Sequence, residues 1–266
     1  MIIKCSFSIF VLTVLFLVQL QLGKGLKKPP VEISKEESSV TLNENFAQIF
    51  NFGHGRLLAA ITWVVTLIEG DIEHYNKKDG NSWMFHRFKS ISIFDPYFYE
   101  NYLYGGQYLS IIKDDISGAS YIYDKGLKKY SKDFWLNYHA GFHFYFEAKD
   151  LDRALQSYKT LESIEEAVKR FPNLPTILAK LRMEKNDPDL AFQGLKVAYD
   201  NLPPNSFLRK KFHTTLYSIK AKTDLKCLND KRSDCEKLDF DGKPYVIKKG
   251  SFVSQKSLSP ILINRK

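Results

Sequence analysis

Small and apolar residues recur along the middle of the chain with a period of about 35 residues. In each repeat a small residue inside one apolar run is followed 12 or 13 residues later by an alanine in a second run. Two amphipathic runs per repeat predict stacked helix pairs, because one pair alone cannot bury its apolar face. The predicted packing positions are Gly106 and Ala119, Gly141 and Ala154, and Ala179 and Ala191.

The most regular repeat spans residues 171–203. Its small residues Ala179 and Ala191 suit a close helix crossing, Pro203 ends the unit, and residues 186–188 (Asn-Asp-Pro) predict a tight turn between the two helices. In these features the chain resembles the tetratricopeptide repeat (TPR) family, in particular exported or membrane-anchored bacterial members. The resemblance implies an α-solenoid with a concave groove that holds another molecule.

Three further repeats follow the pattern less closely. Residues 99–131 and 135–161 each carry one extra residue between the two small positions, and residues 56–96 contain a long polar connection at 75–81. Divergence of this kind is expected where only the packing positions are constrained. The sequence therefore predicts an all-α fold over residues 45–228, a TPR-like α-solenoid of about four degenerate helix pairs.

The chain after Pro204 differs from the repeats. Residues 205–222 predict one further helix and residues 222–228 a short partner, which together cap the stack. Residues 229–266 form a basic tail, and the alternation within 245–254 predicts a small β-hairpin. Cys227 and Cys235 are eight residues apart and form either a disulfide, which an oxidising compartment permits, or two unpaired thiols.

The N-terminal residues 1–25 indicate the compartment. Lys4 precedes an almost wholly apolar run at 9–22, and the small residues of the 23–25 segment (Gly-Lys-Gly) suit a signal peptidase. The same stretch is just long enough for an uncleaved anchor in the cytoplasmic membrane. Residues 26–44 predict a flexible linker. Both alternatives place the repeats outside the cytoplasm, in the periplasm or on the periplasmic side of the inner membrane.

The formal net charge of +9 is unevenly distributed. Basic and acidic residues balance as far as Pro204, so the excess lies within residues 205–266. The basic residues there either form a solvated face or contact anionic lipid or an acidic envelope polymer. An exported protein does not meet DNA, and we expect no nucleic-acid partner.

Catalytic and metal-binding patterns are weak. His139, His143 and Glu147 share one stripe of a helix, but histidines within an aromatic-rich helix are more often packed than metal-bound. Asp239 and Asp241 have too few acidic neighbours for a calcium site. We therefore predict no enzyme activity, no metal and no cofactor.

Helical spacing from Gly141 places an aromatic set on the predicted concave side: Trp135, Tyr138, Phe142 and Tyr145. Exposed aromatic clusters are where protein partners anchor. The sequence thus favours a non-enzymatic adaptor or scaffold of the cell envelope that binds a peptide or protein partner in the groove. The alternative is an envelope enzyme or accessory lobe that acts on peptidoglycan or polysaccharide, with the aromatic rings stacking on sugars.

Overall fold

The computed structural model describes residues 13–18, 21, 53–69 and 83–259. The chain divides into two units, Met1–Val40 and Thr41–Lys266. Most of the predicted signal or anchor, the whole predicted linker at 26–44, and residues 260–266 lie outside the described residues. Among the described helices, none is both long enough and apolar enough to span a membrane.

The second unit is mostly helical, and the predicted all-α character is confirmed. Its α-helices are α1 (Gly55–Glu69), α2 (Trp83–Phe94), α3 (Ile116–Lys129), α4 (Phe134–Phe142), α5 (Leu151–Glu162), α6 (Ala167–Arg170), α7 (Leu174–Glu184), α8 (Pro188–Asp200) and α9 (Leu208–Asn229). Within the described residues, three turns are π-helical: π1 (Asn101–Gly105) and π2 (Tyr108–Ile112) within the helical run 99–112, and π3 (His143–Glu147), which continues α4. Residues 98–202, all of them described, contain no strand.

Helices pack mainly on their neighbours along the chain. Helix α1 contacts α2, α4 contacts α5, α7 contacts α8, and α8 contacts α9, while α5 also contacts α7. One apolar core extends from Ala59 to Leu181, and a second cluster joins α7, α8 and α9. Each pair therefore buries its apolar side partly against the next pair, as the periodicity requires.

Helices α3, α5 and α8 begin with the same local structure. A residue with positive φ precedes an aspartate, and the aspartate side chain caps the helix by accepting the N–H three residues later, at 2.8 to 3.2 Å. Four residues after each cap lies a fully buried alanine, and eight residues after it lies a buried tyrosine or leucine. The capping pairs are Asp114-Asp115, Lys149-Asp150 and Asn186-Asp187.

The small residues of the preceding helices lie against those buried side chains. A Cβ added to Gly106 would lie 2.7 Å from the ring of Tyr123, and one added to Gly141 would lie 3.0 Å from the ring of Tyr158. Ala179, at the corresponding position of α7, is fully buried. Even a methyl group at Gly106 would displace the packed ring, and one at Gly141 would crowd the ring of Tyr158.

The extra residue in two repeats is accommodated by a π turn. In π2 the N–H of Lys113 donates to the carbonyl of Tyr108, and in π3 the N–H of Ala148 donates to the carbonyl of His143. Both are i to i+5 bonds, whereas α7, which has no extra residue, remains α-helical to Glu184. Widening the last turn keeps the following capping aspartate in the same place despite the added residue.

The chain after α8 corrects one prediction. The expected helix at 205–222 and short partner at 222–228 form a single helix, α9, because no glycine or proline interrupts the run. After α9, the C-terminal segment (residues 235–259) contains an antiparallel hairpin of β1 (Val246–Lys248) and β2 (Ser251–Val253). This hairpin lies within the predicted range of 245–254.

The C-terminal segment is attached to α9 through specific side-chain contacts. Cys227 and Cys235 form a disulfide. The hydroxyl of Tyr217 donates to Asp239 Oδ2 over 3.0 Å, and the hydroxyl of Tyr245 donates to Asp224 Oδ2 over 2.8 Å. The buried carboxylates of this region are thus satisfied by phenol hydroxyls, which lets a segment with few apolar residues pack closely.

Candidate functional site

Large apolar side chains are exposed on the first helices of two consecutive repeats, which are the run 99–112 and the run formed by α4 and π3. We call these side chains the aromatic face. Trp135 is 51% and Phe146 is 40% exposed, although both helices are otherwise well packed. Clustered exposed apolar side chains are unusual enough on a soluble surface to indicate a contact site. The aromatic face consists of Tyr104, Ile111, Trp135, Phe142 and Phe146.

Local structure holds the α4 part of this face in place. Asp133 caps α4 by accepting the N–H of Leu136 over 2.7 Å, and it also accepts the hydroxyl of Tyr99. The rings of Phe142 and Phe146 lie 4.6 Å apart between centroids. Because the helix is capped at its start and packed along its other side, these rings are presented on a rigid support.

The four predicted groove residues do not form one accessible set. Trp135 and Phe142 are exposed, but Tyr138 is half-buried and packs edge-on against Phe171 at 4.8 Å. Tyr145 is only 7% exposed, and its hydroxyl donates to Glu184 Oε1 over 2.9 Å. The prediction that Tyr145 lines an accessible groove is therefore wrong.

The reason lies in the stripe to which these tyrosines belong. Tyr138 and Tyr145 stand three residues before and four residues after Gly141, so they share the side on which Gly141 packs against Tyr158. Burial, followed by the hydrogen bond to Glu184, raises the pKa of Tyr145 above its ordinary value. Its phenol therefore stays protonated and acts as a donor.

Sequence reasoning did not identify Tyr104, Ile111 and Phe146. Two signals were available: Phe146 follows Phe142 by one helical turn, and Ile111 holds the position of Phe146 one repeat earlier. The π turn at 143–147 shifts the angular phase of the helix, which an α-helical wheel does not anticipate.

His143 lies inside the stack rather than at a surface. Ser110 Oγ is 2.8 Å from its Nδ1, and Ser120 Oγ is 2.9 Å from its Nε2. Burial, with a smaller effect of the Arg153 charge, lowers the pKa of His143 to about 4. The imidazole is therefore neutral near pH 7, and both ring nitrogens are occupied, which leaves neither for a metal.

Other candidate ligands are also engaged. The carboxylate of Asp239 accepts the backbone N–H groups of Asp241 and Lys243, and Asp241 pairs with His213 and Lys256. Hydrogen bonding to Lys256 lowers the pKa of Asp241 below its usual range. Among the described residues, the cysteines and aspartate at 227, 234 and 235 are grouped closely enough for a metal, but both sulfurs are in the disulfide.

No protein-family model matches the chain, and neither a curated protein nor a solved structure matches it. The resemblance to TPR proteins therefore depends on the repeat pattern of the chain itself.

Proposed function

We propose that the protein is a non-enzymatic adaptor that binds a peptide or protein partner on the aromatic face of a TPR-like solenoid. The observation that carries this proposal is the exposure of Trp135, Phe142 and Phe146 on one rigid helix, beside Tyr145, which is buried. Aromatic side chains with this degree of exposure are the usual anchors of protein interfaces.

The solenoid part of the proposal is supported by the repeated local structure. The caps at Asp115, Asp150 and Asp187, each followed by a buried alanine, recur at nearly the repeat period. Equivalent helices in such a stack present equivalent faces on one side. A partner can then contact two or more repeats at once.

A binding role fits the chemistry better than catalysis does. Among the described residues, the histidine with the most lowered pKa, His143, is enclosed by two serines and the ring of Tyr123. A general acid or base needs access to substrate. The tyrosines whose pKa values are raised, such as Tyr123 and Tyr158, are likewise buried or donate a hydrogen bond within the protein. They too lack access to a substrate.

The proposed location is the cell envelope. The N-terminal pattern suits export, and the disulfide between Cys227 and Cys235 suits an oxidising compartment. This location can be tested by fusing to the C-terminus of the protein a reporter that is active only after export. An inactive reporter in export-competent cells would contradict the proposed location.

The binding proposal can be tested by site-specific photo-crosslinking. A photoreactive phenylalanine at position 146 should give a discrete adduct in cells, and one at exposed Val197 on α8 should not. Trp135→Ala with Phe142→Ala should reduce the adduct by about tenfold or more, since a few aromatics dominate interface energies.

The matched control is Leu190→Ala with Val197→Ala, which removes exposed apolar side chains from α8. Both variants should melt near the parent temperature, because all four side chains are exposed. Equal adduct yield in the two variants, or adducts only from position 197, would contradict the proposed face.

A further inference from the structure

Helix α1, the first helix of the described stack, exposes a line of aliphatic side chains, here called the α1 stripe. Each of its members is 52% to 77% exposed. The stripe consists of Leu57, Ile61, Val64 and Ile68. Successive spacings of four, three and four residues place all four side chains on one side of the helix. The opposite side carries Ala59 and Thr66, which are fully buried.

An apolar outer surface is unusual at the end of a helical repeat array. Terminal repeats carry a polar outer face where they meet water, and exposed apolar patches mark contact sites. The α1 stripe contains no charged residue between its first and last members. Val65 and Leu67, which flank it, are exposed as well. The end of this array therefore presents a surface suited to another apolar surface.

The packing of α1 fixes the direction in which the stripe points. The ring centroid of Trp63 lies 5.7 Å from that of Phe88 in α2 and 5.7 Å from that of Phe98. Turning α1 about its axis to hide the stripe would break these ring contacts and bring Ala59 and Thr66 to the surface. Within one copy, rotation of α1 therefore does not bury the stripe.

The spacing of the α1 stripe is symmetric. It reads four, three and four from either end, so two antiparallel copies of α1 bring each member of the stripe opposite another member. Position 57 then faces position 68 of the other copy, and position 61 faces position 64. Alternate spacings of three and four are those with which two helices interlock their side chains. A two-fold axis at the centre of the stripe gives a closed, self-complementary contact.

The charged residues of α1 favour the antiparallel direction. They are Arg56 and Glu69, near the two ends of the helix. The antiparallel register sets residue 56 of one copy level with residue 69 of the other, so like charges do not meet. A parallel pairing would instead bring arginine beside arginine, which is unfavourable. Because Arg56 Nε already lies 3.9 Å from Asp95 Oδ2 of its own copy, this effect sets the direction of pairing and is not the source of affinity.

We propose that two copies of the chain pair through the α1 stripe, with the two α1 helices antiparallel across a two-fold axis. The affinity comes from removing four aliphatic side chains of each copy from water. This inference does not depend on the proposed function, because the α1 stripe and the aromatic face share no residue. Pairing of copies uses all four positions of the symmetric stripe, whereas a peptide or a lipid surface has no need of that symmetry.

Position-specific cysteine crosslinking of the full chain tests the arrangement. Two differently tagged copies are co-expressed, one with Ile61→Cys and the other with Val64→Cys, and a mild oxidant is added. We expect a disulfide-linked species that carries both tags and has the mass of two chains. A copy with Leu57→Cys should link in the same way to a copy with Ile68→Cys.

The controls use the same exposed stripe and a different helix. Two copies that both carry Leu57→Cys should give little linked species, because the antiparallel register sets positions 57 about 16 Å apart along the helix axis. A disulfide requires Cα atoms within about 7 Å. Two copies with Val197→Cys, at an exposed apolar position of α8, should give none.

Charge exchange distinguishes loss of pairing from loss of folding. Ile61→Lys and Val64→Asp each place a charge in the apolar contact, so each variant alone should pair about a hundredfold more weakly than the parent. Co-purification of the two tags over a range of concentrations measures this change. Mixing the two variants should restore pairing to within about tenfold of the parent, because positions 61 and 64 face each other. A variant that failed to fold would not be rescued.

Several outcomes would overturn the proposal. One is a linked species at positions 61 and 64 that contains a different protein, or none that carries both tags. Equal linking of two Leu57→Cys copies would overturn the antiparallel arrangement. If phospholipid vesicles bind the parent but not Ile61→Lys, and the tags do not co-purify, the α1 stripe contacts a membrane instead. None of these results changes the adduct expected at position 146, so the proposed function is tested separately.

Discussion

The helical stack and the C-terminal segment are held by different forces. In the stack, glycine and alanine let buried rings lie directly on a neighbouring helix, as Gly141 does for Tyr158. In the C-terminal segment, a disulfide and phenol-to-carboxylate hydrogen bonds such as Tyr217 to Asp239 take that role. Apolar periodicity is therefore enough to hold helices that pack on their neighbours in sequence. A short C-terminal segment needs specific bonds between pairs of side chains instead.

The stack contains one polar exception. His143 and its two serine partners lie among buried rings, where an unpaired polar group would be costly. Because burial disfavours the charged imidazolium, this cluster makes the stack sensitive to acid. The C-terminal segment has no such buried histidine among its described residues.

The largest expected effect comes from removing a ring of the stack. Tyr158→Ala should lower the free energy of unfolding by about 3 to 5 kcal/mol, because it leaves a cavity against Gly141. Urea denaturation followed by circular dichroism measures this change. Tyr104→Ala, the same substitution at an exposed position, should change it by less than about 0.5 kcal/mol. Similar losses in both variants would show that Tyr158 is not a packing residue.

Acid should destabilise the stack through His143. Its pKa is lowered from 6.5 to about 4, so between these values the unfolded chain binds more protons than the folded one. The contribution of neutral His143 to the free energy of unfolding is fully present above about pH 6.5. It is lost as the pH falls to about 4, and the loss amounts to at most about 3 kcal/mol.

Unfolding free energies at several pH values test this contribution. His143→Gln should flatten the slope in this range, whereas His54→Gln, at an exposed position, should keep it. An unchanged slope in His143→Gln would mean that His143 is not the group responsible.

The smallest expected effect concerns the C-terminal segment. Cys227→Ser with Cys235→Ser should lower stability by about 2 to 3 kcal/mol in the chain-entropy account of a short loop. Hydrogen exchange should show the loss in residues 235–259, with exchange in α3 to α5 unchanged. Faster exchange throughout the stack would contradict the separation of the two regions.

Much of the helical organisation could be predicted because it depends on local pattern. The turn at 186–188 and the positions of Ala154 and Ala191 follow from turn chemistry and periodicity. The exposure of single side chains could not be predicted in the same way. Tyr145 and Phe146 are adjacent, yet one is buried and the other exposed, because α7 covers only one of them.

The sequence alone determined the helical class, the repeat period and the turn at 186–188, since each depends on residues close together in the chain. The tertiary structure decided which aromatic residues remain exposed and how the extra residue is absorbed as a π turn. It also brought Glu184 of α7 against the hydroxyl of Tyr145. Those features depend on contacts between distant residues, whose geometry no local pattern specifies.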